Sequence, residues 1–328
     1  MSCCGSLVRY STGAIGFLPV GILLLIIGWS YYVFVFMLSA GGALTHKLIH
    51  IGAFFALYSP VVHIAVYHVC LAFFAWTFWQ SVCTPSKPVP RQYHLTAVET
   101  ITFIDMEKED ERWTYLEQRV AQKDLPVTLF NKHGRVPFCD ICFVIKPDRT
   151  HHCSNCERCV PRMDHHCPWI NNCVGFHNQK YFLLFLSYAF LYCLFCFTAS
   201  IPTSIQLLKA TIDVTMVTLH VFLLAIVSSV FMIGLLILLV FQVHLLFTNT
   251  STLEFHRPPS FRTLDRPCSF NLGWRRNFTE IFGNRPILWF LPIFSRLVAN
   301  RHHLSMCSPF HFVFAVRMFG FSYLESPT

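Results

Sequence analysis

The chain has 328 residues, of which 54% are hydrophobic and 16% aromatic, and its mean hydropathy is +0.49. This composition is too apolar for a soluble globular domain of this size, so the chain is predicted to be a membrane protein. The formal net charge of +8 fits basic faces that lie near anionic lipid, and it requires no nucleic acid partner.

Four segments are long and apolar enough to cross a hydrocarbon core, which takes about 20 mostly apolar residues. They are residues 15–38, 51–79, 181–207 and 214–247. The first segment is too long for a signal peptide and has no small-residue cleavage site, so we expect it to be a true span. The predicted fold class is therefore an all-α polytopic membrane protein.

The remaining segments divide into four regions. An N-terminal stretch covers residues 1–14, a polar and proline-punctuated linker covers 80–136, a cysteine-rich domain covers 137–180, and a tail covers 248–328. The linker contains an acidic stretch at 105–120 that is typical of a surface helix. The tail is apolar in parts but interrupted by prolines, and it is not predicted to form a fifth span.

The distribution of basic residues predicts which side the middle loop occupies. An even number of spans places both termini and that loop on the same side. The short turns opposite carry only Lys47 and Lys209, so the positive-inside rule predicts a cytosolic loop, cytosolic termini and unused glycosylation sequons at Asn249 and Asn277. The basic residues near the span ends on the loop side are Arg9, Lys87, Arg91, Arg162, Lys180, Arg257 and Arg262.

A cysteine and histidine cluster occupies residues 139–173 and holds seven of the chain's 15 cysteines. Cys139 with Cys142 and Cys153 with Cys156 form two CxxC pairs, which are typical of structural zinc sites. Dense CxxC spacing in a reducing compartment indicates metal binding or catalysis more than disulfides. Further cysteines and histidines could complete two four-ligand sites, but spacing alone does not decide which ligand joins which pair.

One cysteine remains when two such sites take six cysteines and two histidines, and that residue is Cys167. In an extended segment His165 and Cys167 share a side, whereas His166 faces the other way. His165 could therefore act as a base to the thiol while His166 holds zinc, because the thiolate is the nucleophilic form. Asp164 could fix the tautomer of His165, although strict alternation points it away and a local turn is then required.

Two other classes of function remain open on the residues alone. Cys167 and His165 could be further ligands in a catalytically inactive, zinc-bearing membrane scaffold. A transporter is disfavoured, because no span carries an Asp, Glu, Lys or Arg in its middle.

At these residues the chain closely resembles the DHHC-type protein S-acyltransferases, or palmitoyltransferases. The resemblance includes HHC at 151–153, DHHC at 164–167 and the CPWINNCVG run that begins at Cys167. Ser251 to Glu254 stands where the family has T-T-x-E, with serine in place of the first threonine. Residues 277–283 resemble a family tail motif that packs against the catalytic domain, with Phe278 as its first aromatic. The family places a cytosolic two-zinc domain between the second and third of four spans.

The resemblance also implies a role for each residue of the cluster. Cys167 would be the nucleophile, His165 its base and Asp164 the group that orients His165. One structural zinc ion would be bound by Cys139, Cys142, His152 and Cys159, and the other by Cys153, Cys156, His166 and Cys173.

The implied reaction moves a long-chain fatty acyl group, palmitoyl above all, from acyl-CoA to cysteines of membrane-associated proteins by a ping-pong route. Thioester exchange is nearly isoenergetic, which fits the absence of a phosphate-binding loop. The helix bundle and the surrounding membrane lipid would accommodate the acyl chain. The Golgi or plasma membrane is the expected location, with the endoplasmic reticulum as a further option.

Six residues are expected to contact acyl-CoA. Trp169 would line the entrance to the acyl site. Ser30 and Tyr192 match positions of the resembling subgroup that limit acyl-chain length, although ordinary packing would also explain them. The residues that could bind the CoA phosphates, or serve only as surface charges, are Lys146, Arg149 and His151.

Overall fold

The computed structural model describes residues 16–39, 60–262 and 269–293. All of the predicted N-terminal stretch, residue 15 of the first predicted span, residues 51–59 of the second, and residues 263–268 and 294–328 of the tail lie outside these ranges. In chain order the helices are α1 (Leu18–Tyr31), α2 (Pro60–Cys83), α3 (Ala97–Asp105), α4 (Glu109–Gln122), α5 (Gln179–Leu208), α6 (Met216–Thr248), α7 (Thr252–His256) and α8 (Trp274–Phe282). A π-helical segment, Tyr32–Ser39, continues α1.

Among the described residues, four helices are long and apolar enough to cross a membrane. They are Leu18–Leu38, Val61–Cys83, Gln179–Leu208 and Met216–Thr248, so the predicted number of candidate spans is confirmed. The structure is mostly helical but not all-α as predicted, because short strands form much of the region between the second and third of these helices. Helix α2 continues to Cys83, about one turn beyond the predicted end at residue 79. The ends of the last two spans agree with the predicted ends to within a turn.

Helix α5 is the centre of the bundle. Half of its most apolar stretch is buried, compared with 17–22% for the other three spans, because it packs against both α2 and α6. Aromatic rings fill the contact with α2, where Phe74 stacks on Phe185 at 5.9 Å and on Tyr192 at 5.3 Å between centroids. Helix α6 ends at Asn249, whose left-handed backbone (φ 51°) stops the helix.

Short antiparallel strand pairs form most of the part between α4 and α5, and one further strand follows α6. The strands are β1 (Leu129–Phe130), β2 (Phe138–Cys139), β3 (Val144–Ile145), β4 (His151–Cys153), β5 (Arg158–Val160), β6 (Met163–Cys167), β7 (Asn172–Gly175) and β8 (Ser260–Phe261). The pairs β2–β3, β4–β5 and β6–β7 are consecutive hairpins, and we call residues 138–175 the hairpin domain. Strand β1 pairs with β8 from the segment after α6.

Two surface helices precede the hairpin domain. The predicted helix at 105–120 is α4, and it is preceded by α3, which was not predicted. Helix α3 begins with a capping box in which Thr96 and Glu99 bond each other's backbone amides. Glu99 also forms ion pairs with Arg119 at 3.4 Å and Lys123 at 3.1 Å. These contacts hold α4 against the start of α3.

Candidate active site and metal centres

Each CxxC pair occupies the tip of a hairpin. The residue after the second cysteine has a positive φ in both, 51° at Phe143 and 51° at Glu157. This conformation is uncommon for residues other than glycine, and it reverses the chain tightly enough to bring both thiols of a pair to one side. The two tips therefore repeat the same local structure.

Cross-strand pairs supply the other ligands. In β4–β5, His152 lies opposite Cys159, and in β6–β7, His166 lies opposite Cys173. Directly opposed residues of an antiparallel pair project from the same face. Each pair therefore presents one imidazole and one thiol together.

The ligands meet in two Cys₃His groups. The imidazole Nδ1 of His152 lies 3.3–3.9 Å from the three sulfurs of its group, and that of His166 lies 3.4–3.6 Å from its three sulfurs. Tetrahedral zinc with Zn–S near 2.3 Å and Zn–N near 2.0 Å separates S and N by about 3.5 Å. Both groups therefore have the donor set and spacing that structural zinc requires. They are Cys139, Cys142, His152 and Cys159, and Cys153, Cys156, His166 and Cys173, which is the partition that the resemblance implied.

The two groups are linked through the middle hairpin. Hairpin β4–β5 gives its cross-strand pair to the first group and its CxxC tip to the second. The second group in turn includes His166 and Cys173 of β6–β7. The first group is therefore connected, through hairpin β4–β5 and the second group, to His166, which directly precedes Cys167.

Cys167 lies beside His165 and takes no part in either group. It is buried and pairs across the hairpin with Asn172. His165 and Cys167 share one face of β6, and their side chains are in hydrogen-bonding contact. The opposite face carries His166 and its metal group.

Asp164 reaches the ring of His165 through an irregularity in β6. The register of β6 against β7 shifts between Met163 and His165, which provides the local turn that simple alternation lacks. Asp164 Oδ2 then lies 2.6 Å from His165 Nδ1. Burial opposes the charge of the Asp164 carboxylate, but its hydrogen bonds with His165 and Thr252 hold its pKa below the usual range.

The pKa of His165 is raised to about 9. Burial works against this rise, but the hydrogen bond to Asp164 and the contact with Cys167 outweigh it. A proton held on His165 at neutral pH places a positive charge beside the sulfur of Cys167, an arrangement that activates a thiol as a nucleophile. Asp164, His165 and Cys167 therefore form a continuous series of contacting groups.

The orientation of Asp164 depends on residues after the hairpin domain. Thr252 donates its backbone N–H to Oδ1 at 2.7 Å and its hydroxyl to Oδ2 at 2.8 Å. Gln242 of α6 donates its amide to Oδ2 at 3.1 Å. Gln242 was missed by sequence reasoning, although an amide side chain near the end of an apolar span was a readable signal.

The Ser251–Glu254 segment forms the start of α7. The hydroxyl of Ser251 accepts the backbone N–H of Glu254, and the Glu254 carboxylate accepts that of Ser251. Serine in place of threonine therefore keeps the cap of this helix. Through Thr252 and Glu254 the segment touches both Asp164 and Arg149, so it connects α6 to the site.

Comparisons with known proteins agree with this geometry. The family model described as DHHC palmitoyltransferase matches residues 132–258. Palmitoyltransferase ZDHHC15A of Danio rerio is 36% identical over 280 residues, which cover 85% of this chain and 81% of the relative. The chain belongs to the DHHC palmitoyltransferase family. Palmitoyltransferase ZDHHC2 of Danio rerio is 37% identical over 283 residues (85% and 74%), and human ZDHHC15 is 35% identical over 286 residues (87% and 81%).

The family's tail motif lies in α8, and it contacts the bundle as well as the hairpin domain. Phe278 stacks on Phe282 at 4.5 Å between centroids, beside buried leucines of α5 and α6. Glu280 forms a 3.5 Å ion pair with Arg162 of the hairpin domain. Asn277 donates to the carbonyl of Phe247 at 2.6 Å.

Both sequon asparagines of this family member are buried. The amide of Asn277 donates to the end of α6, and the amide of Asn249 donates to the carbonyl of Phe270 at 2.8 Å. Neither amide is available to a glycan.

The structure corrects the predicted role of Arg149. Its guanidinium is buried and donates to Glu254 and to both oxygens of Asn249, so it faces the protein interior and not a CoA phosphate. Lys146 is half-buried and His151 is exposed, and both stay candidates for phosphate contact. Trp169 is exposed in the turn after Cys167.

Ser30 and Tyr192 meet inside the bundle. The hydroxyl oxygens lie 2.7 Å apart, and both side chains are buried. The hydroxyl of Tyr192 has a second partner, Tyr67 of α2, also at 2.7 Å. Tyr67 was missed by sequence reasoning, because a tyrosine in an apolar span carries no signal of its own.

Proposed function

We propose that this palmitoyltransferase transfers a long-chain fatty acyl group, palmitoyl above all, from acyl-CoA to cysteines of membrane-associated proteins. The observation that carries the proposal is the position of Cys167. It contacts His165, which is hydrogen-bonded to Asp164, and it belongs to the same apolar cluster as residues of all four spans. A nucleophile at that boundary can attack a water-soluble thioester while the acyl chain enters the bundle.

The reaction proceeds by two thioester exchanges. The thiolate of Cys167 attacks the carbonyl carbon of acyl-CoA, the carbon–sulfur bond to CoA breaks, and CoA leaves as a thiol with the proton of His165. Neutral His165 then accepts the proton of a substrate cysteine. The substrate thiolate attacks the acyl group, and Cys167 leaves as a thiolate beside protonated His165. Bonds and protons balance without an external energy source.

Asp164 keeps Nδ1 of His165 protonated, so that Nε2 is the atom that donates and accepts the proton in the two thioester exchanges. Thr252 and Gln242 hold Asp164 in place for this role. Two zinc ions in the Cys₃His groups would supply rigidity and no chemistry of their own. Cys139, Cys142, His152 and Cys159 would hold the first, and Cys153, Cys156, His166 and Cys173 the second.

The protein substrates are expected to be membrane-associated, with cysteines close to the bilayer surface. Membrane lipid surrounds the four spans on this proposal, and both termini and the hairpin domain are cytosolic. Basic residues at the span ends support this orientation. The Golgi and plasma membranes are the proposed compartments, with the endoplasmic reticulum as a further option.

Incubation of the purified full-length protein with labelled palmitoyl-CoA tests the proposal. We expect a label on the enzyme that hydroxylamine releases, because a thioester forms on Cys167. Cys167→Ser should lose it. Cys83→Ser is the matched control, because Cys83 is an exposed thiol at the end of α2 and should not change the label. An unlabelled wild-type protein, or a label kept by Cys167→Ser, would favour the inactive scaffold.

A further inference from the structure

Helix α3 packs one face against the hairpin domain and leaves the other exposed. The ring of Phe103 lies 4.8 Å from that of Phe138 between centroids. The outer face carries Val98, Ile101 and Ile104, which follow each other at three-residue spacing and are 74%, 60% and 52% exposed. Valine and isoleucine are weak helix formers. Neither burial nor helix propensity therefore accounts for these three residues.

An acidic segment directly follows this apolar face. Five of the chain's 17 acidic residues lie between positions 105 and 111, although the formal net charge of the chain is +8. All five are exposed, and they are Asp105, Glu107, Glu109, Asp110 and Glu111. We call the three apolar residues of α3, together with residues 105–111, the α3 surface.

The basic residues beside the acidic segment only partly offset its charge. Arg112 donates to two backbone carbonyls at the end of α3, whereas Arg135 and Lys108 form ion pairs within the segment. Five acidic residues thus stand against three basic ones. Among the described residues, Asp105 and Glu107 form no ion pair. The α3 surface therefore combines exposed apolar side chains with a net negative charge.

This combination is complementary to a basic, apolar peptide segment. Proteins attached to the cytosolic leaflet of a membrane carry such segments, because Lys and Arg side chains bind anionic lipid while apolar groups insert between the headgroups. The proposed protein substrates belong to this class. The anionic headgroups themselves would be repelled by the acidic segment, so the charges favour a protein partner over the lipid surface.

We propose that the α3 surface is a docking site for a basic, apolar segment of the protein substrate. The inference rests on the proposed function, because it assumes an acyl-enzyme that transfers its acyl group to a protein cysteine. A docked substrate would hold its cysteine on the same molecule as Cys167, which raises the effective concentration of that cysteine. Docking would thereby select among membrane-associated proteins.

The α3 surface lies within reach of the nucleophile. Helix α3 begins 14 residues after the end of α2, so the two lie at most about 50 Å apart. The end of α2 is bonded by Asn172, which pairs with Cys167 in the last hairpin. A flexible stretch of about 15 residues between the docked segment and the substrate cysteine can span this distance.

Transfer of palmitoyl from the acyl-enzyme to synthetic peptides tests the inference on the full-length protein in detergent. Two cysteine peptides share the same apolar residues and differ only in their charged residues, which are Lys in one and Glu in the other. We expect the Lys peptide to have the lower KM. The double variant Val98→Ser with Ile101→Ser should raise that KM about tenfold and leave kcat unchanged, because it removes apolar contact from binding only.

Reversal of the charge provides a readout that a structural role of α3 would not produce. The double variant Asp105→Lys with Glu107→Lys should raise the KM of the Lys peptide and lower that of the Glu peptide. We expect each change to be about threefold to tenfold at low salt and smaller at high salt.

Matched controls lie between α5 and α6, at the opposite end of the bundle from the hairpin domain. Val214 is 77% exposed, and Asp213 beside it is also exposed. Val214→Ser and Asp213→Lys repeat the same kinds of change away from the α3 surface. Both should keep the wild-type KM for each peptide.

Four results would overturn the inference. The first is a wild-type KM for the apolar variant together with an unchanged peptide preference after charge reversal. The second is loss of acyl-enzyme formation in both α3 variants, which would make the role of the helix structural, because that step involves no peptide. The third is an effect seen only in anionic nanodiscs and equal for both peptides, which would assign the surface to lipid.

The fourth result is failure of the wild-type protein to form any acyl-enzyme from palmitoyl-CoA. It would remove the proposed function and the docking site together. It is distinguishable from the other three, because in each of those the wild-type protein still forms the acyl-enzyme.

Discussion

Arg149 and Glu254 form a buried, two-pronged ion pair. Nε lies 2.6 Å from Oε1 and Nη2 lies 2.6 Å from Oε2, and both side chains are less than a tenth exposed. Arg149 precedes β4, whereas Glu254 belongs to α7 after the last span. Strand β4 carries His152 and Cys153, one ligand of each metal group. The ion pair therefore fastens the hairpin domain to the end of the bundle.

Replacement of one partner should destabilise the protein strongly. Arg149→Met leaves the Glu254 carboxylate buried without its countercharge, and such a change costs about 3–5 kcal/mol. We expect a clear fall in the apparent Tm of the detergent-solubilised protein. The double variant Arg149→Met with Glu254→Leu should recover much of the loss, since no unpaired charge stays buried.

An exposed ion pair provides the control for this comparison. Lys108 is the N-cap residue of α4, and its Nζ lies 3.0 Å from the carboxylate of Glu111 in the first turn. Their side chains are 78% and 55% exposed. Lys108→Met should change stability by no more than about 0.5 kcal/mol. Equal losses for Arg149→Met and Lys108→Met would contradict the assigned role of the buried pair.

The charge of Asp164 should extend the pH range in which Cys167 is reactive. A raised pKa means that the folded protein holds the proton of His165 up to about pH 9 and loses it above. Asp164→Asn should lower this pKa. As His165 then gives up its proton at a lower pH, the positive charge beside the sulfur of Cys167 is lost and Cys167 should react more slowly. The alkylation rate of Cys167, followed by mass spectrometry across the neutral range, measures this effect.

Gln242→Leu should have a smaller effect of the same sign. It removes one donor to Asp164 and leaves both bonds from Thr252. We expect the alkylation rate to fall by about threefold to tenfold. Gln242→Leu also removes a buried carbonyl oxygen, Oε1, that has no hydrogen-bond partner, so the fold should tolerate it. Unchanged alkylation in both Asp164→Asn and Gln242→Leu would argue against this chain of contacts.

The CxxC pairs and the spans were predictable from the residues themselves, because both are encoded locally, whereas the ligands that join each pair followed only from the family resemblance. CxxC spacing marks the thiol pairs, and segment length marks the spans. Helix α3 was missed, partly because Val98, Ile101 and Ile104 are exposed apolar residues that obscure its polar face. The capping box of Thr96 and Glu99 was a readable signal.

Contacts between distant segments were not predictable in the same way. Thr252 bonds Asp164 from 88 positions along the chain, and Glu254 pairs with Arg149 across 105. An arginine beside a zinc ligand is usually solvated or bound to an anion, which is why Arg149 was assigned to phosphate. Arg149 is buried because the segment after α6, with Asn249 and Glu254, folds back onto it. The turn at Asp164 likewise depends on pairing with β7.

Loss of one ligand should remove one zinc ion and inactivate the enzyme. Cys173→Ala leaves the second group with three ligands, so metal analysis should fall from about two zinc ions per chain to about one. Labelling of Cys167 by palmitoyl-CoA should fall with it, since Cys173 pairs with His166 beside the nucleophile.

His152→Ala tests whether the first group acts on Cys167 through the shared hairpin. It should lower labelling as well, although His152 belongs to the distant group. Cys193→Ala, at a thiol of α5 outside both groups, should keep two zinc ions. Retention of two zinc ions by Cys173→Ala would exclude the second group as a metal site.

Asn172 joins the end of the second span to the strand that faces Cys167. Its amide donates to the carbonyls of Ser81 at 3.0 Å and Thr84 at 2.9 Å, which lie at the C-terminus of α2, where carbonyls have no partner within the helix. The carbonyl of Thr84 also accepts from Asn178 at 3.1 Å. Asn172→Asp removes this donor and places a negative charge against the negative end of the helix dipole. We expect a loss of about 1–3 kcal/mol together with reduced labelling of Cys167, because Asn172 lies directly opposite it in β7.

The effect of Asn172→Asp should depend on position and not on charge alone. Asn155→Asp adds the same charge at an exposed position of the second CxxC turn, and it should leave the apparent Tm nearly unchanged. Asn172→Gln keeps the donor group on a longer side chain and should recover part of the labelling. If Asn155→Asp and Asn172→Asp lower the Tm equally, the amide of Asn172 is not what holds α2 to the site.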